Sequence, residues 1–201
     1  MTPTGSLLDN IHVDLGCGNN KPQGAVGIDR LATSSADIIH DIDRDGIPLP
    51  DNSCIRISSS HFMEHVSKTQ FVLEEIWRVG KPGAEVVIRV PYAQSQGGPC
   101  DPAHPKTFPE FWMRRCYWFR EHFANLTMTF KYDEVLLEWA RKAVPGAPDD
   151  VLRALYWNVC EEVTATAHIC KPALSREEGA QMIESEVWWA QEATDDGTLR
   201  P

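Results

Sequence analysis

Short glycine-rich and polar segments follow several β-like stretches of this 201-residue sequence, and they are the residues best suited to chemistry. The first stretch, residues 11–15, runs into Gly16-Cys17-Gly18. A strand that ends in G-x-G brings bare backbone to the carboxyl edge of a parallel sheet, where a ligand can approach with no Cβ in the way. Taken alone the pattern is weak, because a tight turn uses the same glycines.

Polar side chains also end the next three β-like stretches. Asp29 ends the second, Asp41 ends the third, and the segment 58–61 (Ser-Ser-Ser-His) ends the fourth. A carboxylate at Asp29 can accept hydrogen bonds from both hydroxyls of a ribose, and Asp41 can help to frame an adenine edge. Because the carboxyl ends of parallel strands meet at one edge of a sheet, this ordered set predicts a nucleoside-shaped crevice.

The elements that must position these residues alternate between strand and helix. The β-branched runs 11–15, 25–29, 37–41, 54–58 and 85–90 are bounded by Gly, Pro, Asp and Ser, which is typical of strands. Between the last two, the apolar residues of 71–79 keep a 3.6-residue period and predict a helix that stops at Gly80-Lys81-Pro82-Gly83. This alternation predicts an α/β fold with a mainly parallel sheet.

The second half of the chain is less regular. Residues 91–109 are rich in Pro, Gly and Gln and predict a long loop, which continues into the aromatic stretch 108–123. Strands are expected at 126–130 and 163–170, and helices at 135–143 and 149–157. We therefore expect one domain over 1–171, with a lid or substrate segment at about 91–123. A C-terminal helical tail over 172–201 is expected to contain one helix at roughly 175–191.

The composition of the chain limits the kinds of molecule that it is expected to bind. The formal net charge of −10 would repel a nucleic-acid duplex or an anionic membrane, so neither is an expected partner. The first ten residues lack the features of a signal peptide, and no apolar run is long enough to span a membrane. None of the six cysteines forms a C-x-x-C pair, which favours reduced thiols. We expect a soluble, cytoplasmic protein.

Six pieces of the sequence, in a fixed order, resemble one known family, the class I S-adenosylmethionine-dependent methyltransferases, and within it the small type 11 group. The similarity covers about residues 11–109. Its pieces are VDLGCG (13–18), GID (27–29), HDID…IPLPDNS (40–53), SSHFMEHV (59–66), LEEIWRVGKPGA (73–84) and VPYA (90–93).

This resemblance implies a Rossmann-like methyltransferase fold, a single doubly wound, mainly parallel seven-stranded sheet whose last strand is antiparallel. It implies S-adenosyl-L-methionine as the cofactor and S-adenosyl-L-homocysteine as the product. In the family pattern the G-x-G strand end surrounds the methionine part, the acid that ends the second predicted strand holds the ribose, and the later strand ends frame adenine and the sulfonium. The cofactor-binding residues implied here are Asp14, Gly16, Cys17, Gly18, Asp29, Arg30, Asp41, Ile42, Ser59, Ser60 and His61.

The segment between Gly18 and Ala25 departs from the family pattern. It is too short for the usual first helix, and the intervening NNKPQG predicts a loop or a single turn. Lys21 also stands where a dinucleotide-binding G-x-G-x-x-G motif would have its third glycine. The sequence therefore does not favour NAD.

Two metal motifs were weighed against this interpretation. Residues 41–46 match the first half of a calcium loop, but Asn52 stands where the loop needs a bidentate glutamate. His61 and His65 have the i, i+4 spacing that can hold zinc on a helix, yet no third ligand is evident nearby. A histidine that lines the cofactor site is the favoured interpretation of His61, and no metal is expected.

Catalytic candidates lie after the fifth predicted strand. His104, with Asp101 three residues before it, sits in the long loop expected to cover the transferred methyl group, where an imidazole can act as a base. A structural Asp–His hydrogen bond that pins the loop is the alternative. Tyr92 directly follows the strand and is expected to contact the cofactor or the acceptor.

Together these features predict an enzyme that moves a methyl group from S-adenosylmethionine to a small-molecule acceptor by in-line displacement. Two alternatives stay open. One is a methyltransferase of a macromolecule or a lipid-linked sugar, and the other is a non-catalytic S-adenosylmethionine-binding partner subunit. The apolar stripe of the tail helix is expected to dock either on its own domain or on a second subunit as a homodimer.

Overall fold

A computed structural model of the chain describes residues 10–95, 104, 117–155 and 158–171. The tail helix and most of the segment around His104 lie outside these residues. The strands are β1 (Ile11–Leu15), β2 (Val26–Asp29), β3 (Ile38–Ile39), β4 (Cys54–Ser60), β5 (Gly80–Pro91), β6 (Phe123–Tyr132) and β7 (Cys160–Ile169). The helices are α1 (Ile42–Asp45), α2 (Thr69–Val79), α3 (Tyr117–His122), α4 (Glu134–Ala143) and α5 (Asp149–Leu155), with a 3-10 turn at Met63–His65.

The strands form one seven-stranded sheet in the order β3-β2-β1-β4-β5-β7-β6. The first five strands in that order are parallel neighbours, and β7 is antiparallel to both β5 and β6. This confirms the predicted α/β sheet with its antiparallel last strand. The parallel half brings the carboxyl ends of β1, β2 and β4 to one edge, which is where open sheets bind ligands.

The core lies against the central strands. Val13, Leu15, Ile57 and Ile88 are almost completely buried, and the apolar face of α2 packs against them. A parallel sheet covered on its faces needs such continuous apolar runs. The predicted helix over 71–79 is confirmed, because α2 buries residues spaced at the helical period (Val72, Leu73, Ile76 and Val79).

The connection between α2 and β5 is shorter than the sequence indicated. The predicted stop at 80–83 is already strand, because β5 begins at Gly80, directly after the last residue of α2. A Cβ on Gly80 would lie 2.0 Å from Cδ1 of Ile169 on β7. The glycine therefore ends the helix and also allows the close approach of the last strand.

The segment between β1 and β2 contains turns and no helix, as its short length predicted. Asp37 links this segment to the start of β2. Its carboxylate accepts hydrogen bonds from Nζ of Lys21 and from the backbone N–H of Gly27, 2.7 Å away. Both interactions lower the pKa of Asp37. Within the described residues, every helix is too short or too polar to span a membrane.

Candidate functional site

A cleft of about 320 Å³ lies at the carboxyl edge of the parallel strands. Its size falls in the range of small-molecule sites. Its walls come from the ends of β1, β2 and β3, from α1 and from the 3-10 turn after β4. The lining residues are Gly16, Asp29, Arg30, Leu31, His40, Asp41, Ile42, Asp43, His61, Phe62, His65 and Val66. Six of the residues implied by the family resemblance meet here: Gly16, Asp29, Arg30, Asp41, Ile42 and His61.

Asp29 is fixed at the end of β2 by two backbone donors. Its Oδ2 accepts a hydrogen bond from the N–H of Gly18 at 2.9 Å, and its Oδ1 accepts one from the N–H of Leu31 at 2.8 Å. A carboxylate has about four lone-pair sites, so both oxygens can still accept hydroxyl hydrogen bonds. This arrangement fits a ribose diol, as the sequence predicted.

The two glycines of the G-x-G motif have different surroundings. Gly16 and Gly18 both have positive φ angles, of 64° and 50°. A Cβ on Gly16 would lie within 2.6 Å of three atoms of the Phe62 side chain, whereas one on Gly18 would meet no atom within 4 Å. The absent side chain of Gly16 thus makes room for the Phe62 ring, and Gly18 leaves open space at the strand end.

The side of the cleft beside α1 offers polar atoms suited to a heterocycle. The carboxylate of Asp41 caps α1 by accepting a hydrogen bond from the N–H of Arg44 at 3.2 Å. Nε2 of His40 is buried and has no hydrogen-bond partner among the described residues. Ile42 is buried next to them and supplies an apolar surface. An orphaned imidazole nitrogen beside a carboxylate and an apolar wall fits a nucleobase edge.

Asp14, on β1, belongs to a short series of polar contacts between β1 and β4. Ser58 Oγ donates a hydrogen bond to Oδ1 of Asp14 at 2.5 Å and lies 3.0 Å from Nε2 of His12. Asp14 is only 5 % exposed, and this burial raises its pKa while the Ser58 hydrogen bond opposes the rise. A carboxylate held in this way suits an incoming ammonium group, which would favour its charged form.

Cys17 lies against β2. It is 6 % exposed, and a Cβ on Gly27 would lie 2.7 Å from its Sγ. Burial raises the pKa of this thiol, so the described contacts are those of a packed, protonated side chain. A role for Cys17 in cofactor binding remains a prediction.

The end of β4 turns sharply into the cleft at His61, which has a φ of 54°. Its Nδ1 lies 3.2 Å from Oε1 of Glu64 and its Nε2 lies 3.2 Å from Oε1 of Glu162. The pKa of His61 is raised, first by Glu64 and then by Glu162, and burial opposes this. Of the two serines before it, Ser60 is exposed, and Ser59 is buried with an Oγ that has no hydrogen-bond partner in the described part of the chain.

A second cluster adjoins the cleft and was missed by the sequence analysis. Glu64, His65 and His104 place one ligand atom each within 4.8 Å of one another. The rings of His65 and His104 meet edge to face, with centroids 4.6 Å apart. The sequence pattern indicated His61 and His65 as a possible pair of metal ligands. The structure instead groups His65 with the adjacent Glu64 and with His104, which is distant in sequence.

The other catalytic candidates fall in different places. Tyr92 is buried, with its ring 6.1 Å from that of Phe130 and near the guanidinium of Arg153, away from the residues that line the cleft. Asp101 lies outside the described residues. The catalytic roles of His104, Tyr92 and Asp101 therefore stay predictions.

Residues 22–88 match a family model described as a methyltransferase domain. A structure of a SAM-dependent methyltransferase from Archaeoglobus fulgidus superposes with a TM-score of 0.62 at 18% identity, covering 80% of this chain and 86% of that chain. These matches support the expected resemblance to methyltransferases over residues 22–88, and the solved structure has the same fold. No curated protein sequence matches the chain.

Two further structures show how widely this methyltransferase fold is used. Phosphoethanolamine N-methyltransferase 2 from Haemonchus contortus, in complex with S-adenosyl-L-methionine, has a TM-score of 0.52 at 14% identity over 83% of this chain and 50% of that chain. The [4+2]-cyclase SpnF has a TM-score of 0.55 at 18% identity over 82% and 78%. One of these two structures contains S-adenosyl-L-methionine, and the shared fold alone does not define the reaction.

Proposed function

We propose that this chain binds S-adenosylmethionine in the cleft and transfers its methyl group to a small-molecule acceptor. The observation that carries the proposal is the position of Asp29 at the end of β2. Two backbone donors fix its carboxylate at the wall of the cleft. Three further supports are the unpartnered His40 nitrogen, the buried Asp14 carboxylate and the family match over residues 22–88.

The protein's contribution would be to orient the reactants and exclude water. When bound, S-adenosylmethionine supplies an electrophilic methyl group on a positively charged sulfur. The acceptor atom bonds to the methyl carbon as the carbon–sulfur bond breaks in line with it, and the acceptor loses a proton to a base or to water. Alignment supplies most of the acceleration in such a displacement. Phe62 and Val66 provide the apolar part of the cleft wall.

One property of the chain favours a small acceptor over an anionic macromolecule. The net charge of −10 opposes an anionic polymer such as a nucleic acid. The acceptor atom, whether oxygen, nitrogen, sulfur or carbon, is left to experiment.

Calorimetric titration with S-adenosylmethionine, S-adenosylhomocysteine and NAD tests the cofactor. We expect micromolar binding of both adenosyl ligands and none of NAD. Asp29→Ala should weaken that binding at least about tenfold, because it removes a charge-assisted acceptor. Asp45→Asn is the matched control, since Asp45 is an exposed acid paired with Arg44 outside the cleft lining. Equal binding by Asp29→Ala and wild type would contradict the proposed site.

Transfer of a labelled methyl group tests the reaction. The protein is incubated with labelled S-adenosylmethionine and with separate small-molecule and macromolecular fractions of a cell extract. Label in the small-molecule fraction is the expected result, and label in macromolecules alone would overturn the choice of acceptor class.

A chain that binds the cofactor without transferring its methyl group is the second candidate, because one similar structure is named as a [4+2]-cyclase and not as a methyltransferase. Cofactor binding without transfer to any fraction would favour it.

A further inference from the structure

The Glu64–His65–His104 cluster has the composition of a metal site. It combines two imidazoles with one carboxylate, and its three ligand atoms lie within 4.8 Å of one another. Ligand atoms bound to one transition-metal ion at bond lengths of about 2.0–2.2 Å lie roughly 3–4 Å apart. Small rotations of these side chains would therefore bring the three atoms to ligand distance.

The surroundings of Glu64 supply the second, independent observation. The residue is 1 % exposed, and neither of its carboxylate oxygens meets a hydrogen-bond donor of good geometry among the described residues. Oε1 does lie 3.2 Å from Nδ1 of His61, which is itself 43 % exposed and shared with Glu162. Burying a carboxylate costs several kcal/mol unless charge or hydrogen bonds compensate. A cation between Glu64 and the two histidines would provide that compensation.

We infer that Glu64, His65 and His104 bind a divalent transition-metal ion. Two imidazoles and one carboxylate suit zinc, iron(II), manganese or cobalt, and they leave coordination positions open for another ligand. Calcium and magnesium are disfavoured, because they prefer all-oxygen sites. This assignment makes His104 a ligand, in place of the base that the sequence predicted.

The position of the cluster suggests what the open coordination positions bind. His65 belongs both to the cluster and to the wall of the cleft, next to Val66 and Phe62. A metal ion there would hold an oxygen or nitrogen atom of the acceptor and lower the pKa of its proton. This part of the inference rests on the proposed function, and it favours acceptors that carry a hydroxyl, carboxylate or amine. Metal binding itself does not depend on it.

Cobalt(II) titration of tag-free protein, after removal of metals by a chelator, tests the site. We expect one equivalent to bind and to give visible absorption bands typical of imidazole and carboxylate ligands. Metal content of the protein after incubation with zinc or manganese, followed by dialysis, provides a second measurement. Both readouts are independent of methyl transfer.

Three variants identify the ligands. Glu64→Gln and His104→Ala should each weaken cobalt binding at least about tenfold and change the spectrum. His168→Gln is the matched control, because His168 lies on β7 opposite Glu85, at the other end of that strand from Glu162. Binding that is unchanged in Glu64→Gln would overturn the inference, since adventitious binding at exposed histidines does not need a buried carboxylate. Absence of binding in the wild type would overturn it as well.

Titration of the same variants with S-adenosylmethionine separates this inference from the proposed function. Intact cofactor binding in Glu64→Gln shows that the variant is folded and that a loss of metal is specific. Metal binding without cofactor binding by the wild type would support the metal site and contradict the proposed function. Cofactor binding without metal binding would support the proposed cofactor site and contradict the metal site.

Discussion

Two buried carboxylates lie close in sequence to residues that line the cleft, and they have different surroundings. Asp14, on β1, accepts a hydrogen bond from Ser58, which in turn contacts His12. Glu64, in the turn after β4, is even less exposed, yet among the described residues neither of its oxygens has a hydrogen-bond donor of good geometry. Asp14 is thus hydrogen-bonded within the sheet, whereas Glu64 has only the nearby histidines, with Nδ1 of His61 3.2 Å away.

The difference shows how burial alone fails to define a role. A buried carboxylate that is hydrogen-bonded can be maintained by the fold itself. One without partners destabilises the protein unless a ligand binds to it. Asp14 therefore contributes to the structure as well as to the predicted cofactor site, whereas the burial of Glu64 would be compensated by the cation that we propose.

The largest effect is expected for cofactor affinity in Asp14→Asn. The amide oxygen can still accept the Ser58 hydrogen bond, but the negative charge facing an ammonium group is lost. We expect S-adenosylmethionine to bind about 10- to 100-fold more weakly, the equivalent of about 1.5–3 kcal/mol. Calorimetric titration measures this, and an affinity within twofold of wild type would show that Asp14 has only a structural role.

Ser58→Ala should lower the free energy of unfolding by about 2 kcal/mol. It removes the donor to Asp14 and leaves a buried carboxylate with one fewer partner. Ser60→Ala, an exposed position on the same strand, is the control and should change stability by no more than about 0.5 kcal/mol. Urea denaturation gives both values, and equal effects would refute the importance of this hydrogen bond.

Glu64→Gln should raise the free energy of unfolding of the metal-free protein by about 1 kcal/mol. It replaces a buried carboxylate, whose closest described ionic neighbour is the half-exposed His61, by a neutral group of the same shape. Urea denaturation in the presence of a chelator measures the effect. A clear loss of stability would mean that the contact with His61 outweighs the cost of burial.

The smallest expected effect is the contribution of Asp14 to the pH dependence of the free energy of unfolding. Burial raises its pKa in the folded protein above the value in the unfolded chain. The folded state therefore takes up this proton first as the pH falls, and stability due to this group rises toward acid. Wild type should gain stability relative to Asp14→Asn between pH 7 and the acid side of the Asp14 titration. A constant difference across that range would contradict a raised pKa.

The parallel half of the fold was largely predictable because its signals are local. The helical period over 71–79 and the β-branched runs each report on their own residues, and strand ends of a parallel sheet must share an edge. Asp29 and Asp41 therefore reached the cleft as expected. The role of Gly16 was harder to predict, because it depends on Phe62, a residue on another strand's end.

The metal cluster could not be predicted from spacing. Glu64 and His65 are adjacent in sequence, but His104 reaches them only because the chain returns to the cleft after β5. The sequence suggested His61 as the partner of His65, since i, i+4 residues share a helix face. Met63–His65 is instead a 3-10 turn, and the left-handed residue His61 precedes it, so that spacing rule does not apply.

The order of strands in the sheet has a consequence for biosynthesis. Among the strands that the structure describes, β7 comes last in the sequence, and it lies between β5 and β6. Until the ribosome has released Cys160–Ile169, both of those neighbours expose unpaired backbone groups along their edges. Nascent chains that stall before this strand should be the most aggregation-prone, and therefore the ones most dependent on chaperones.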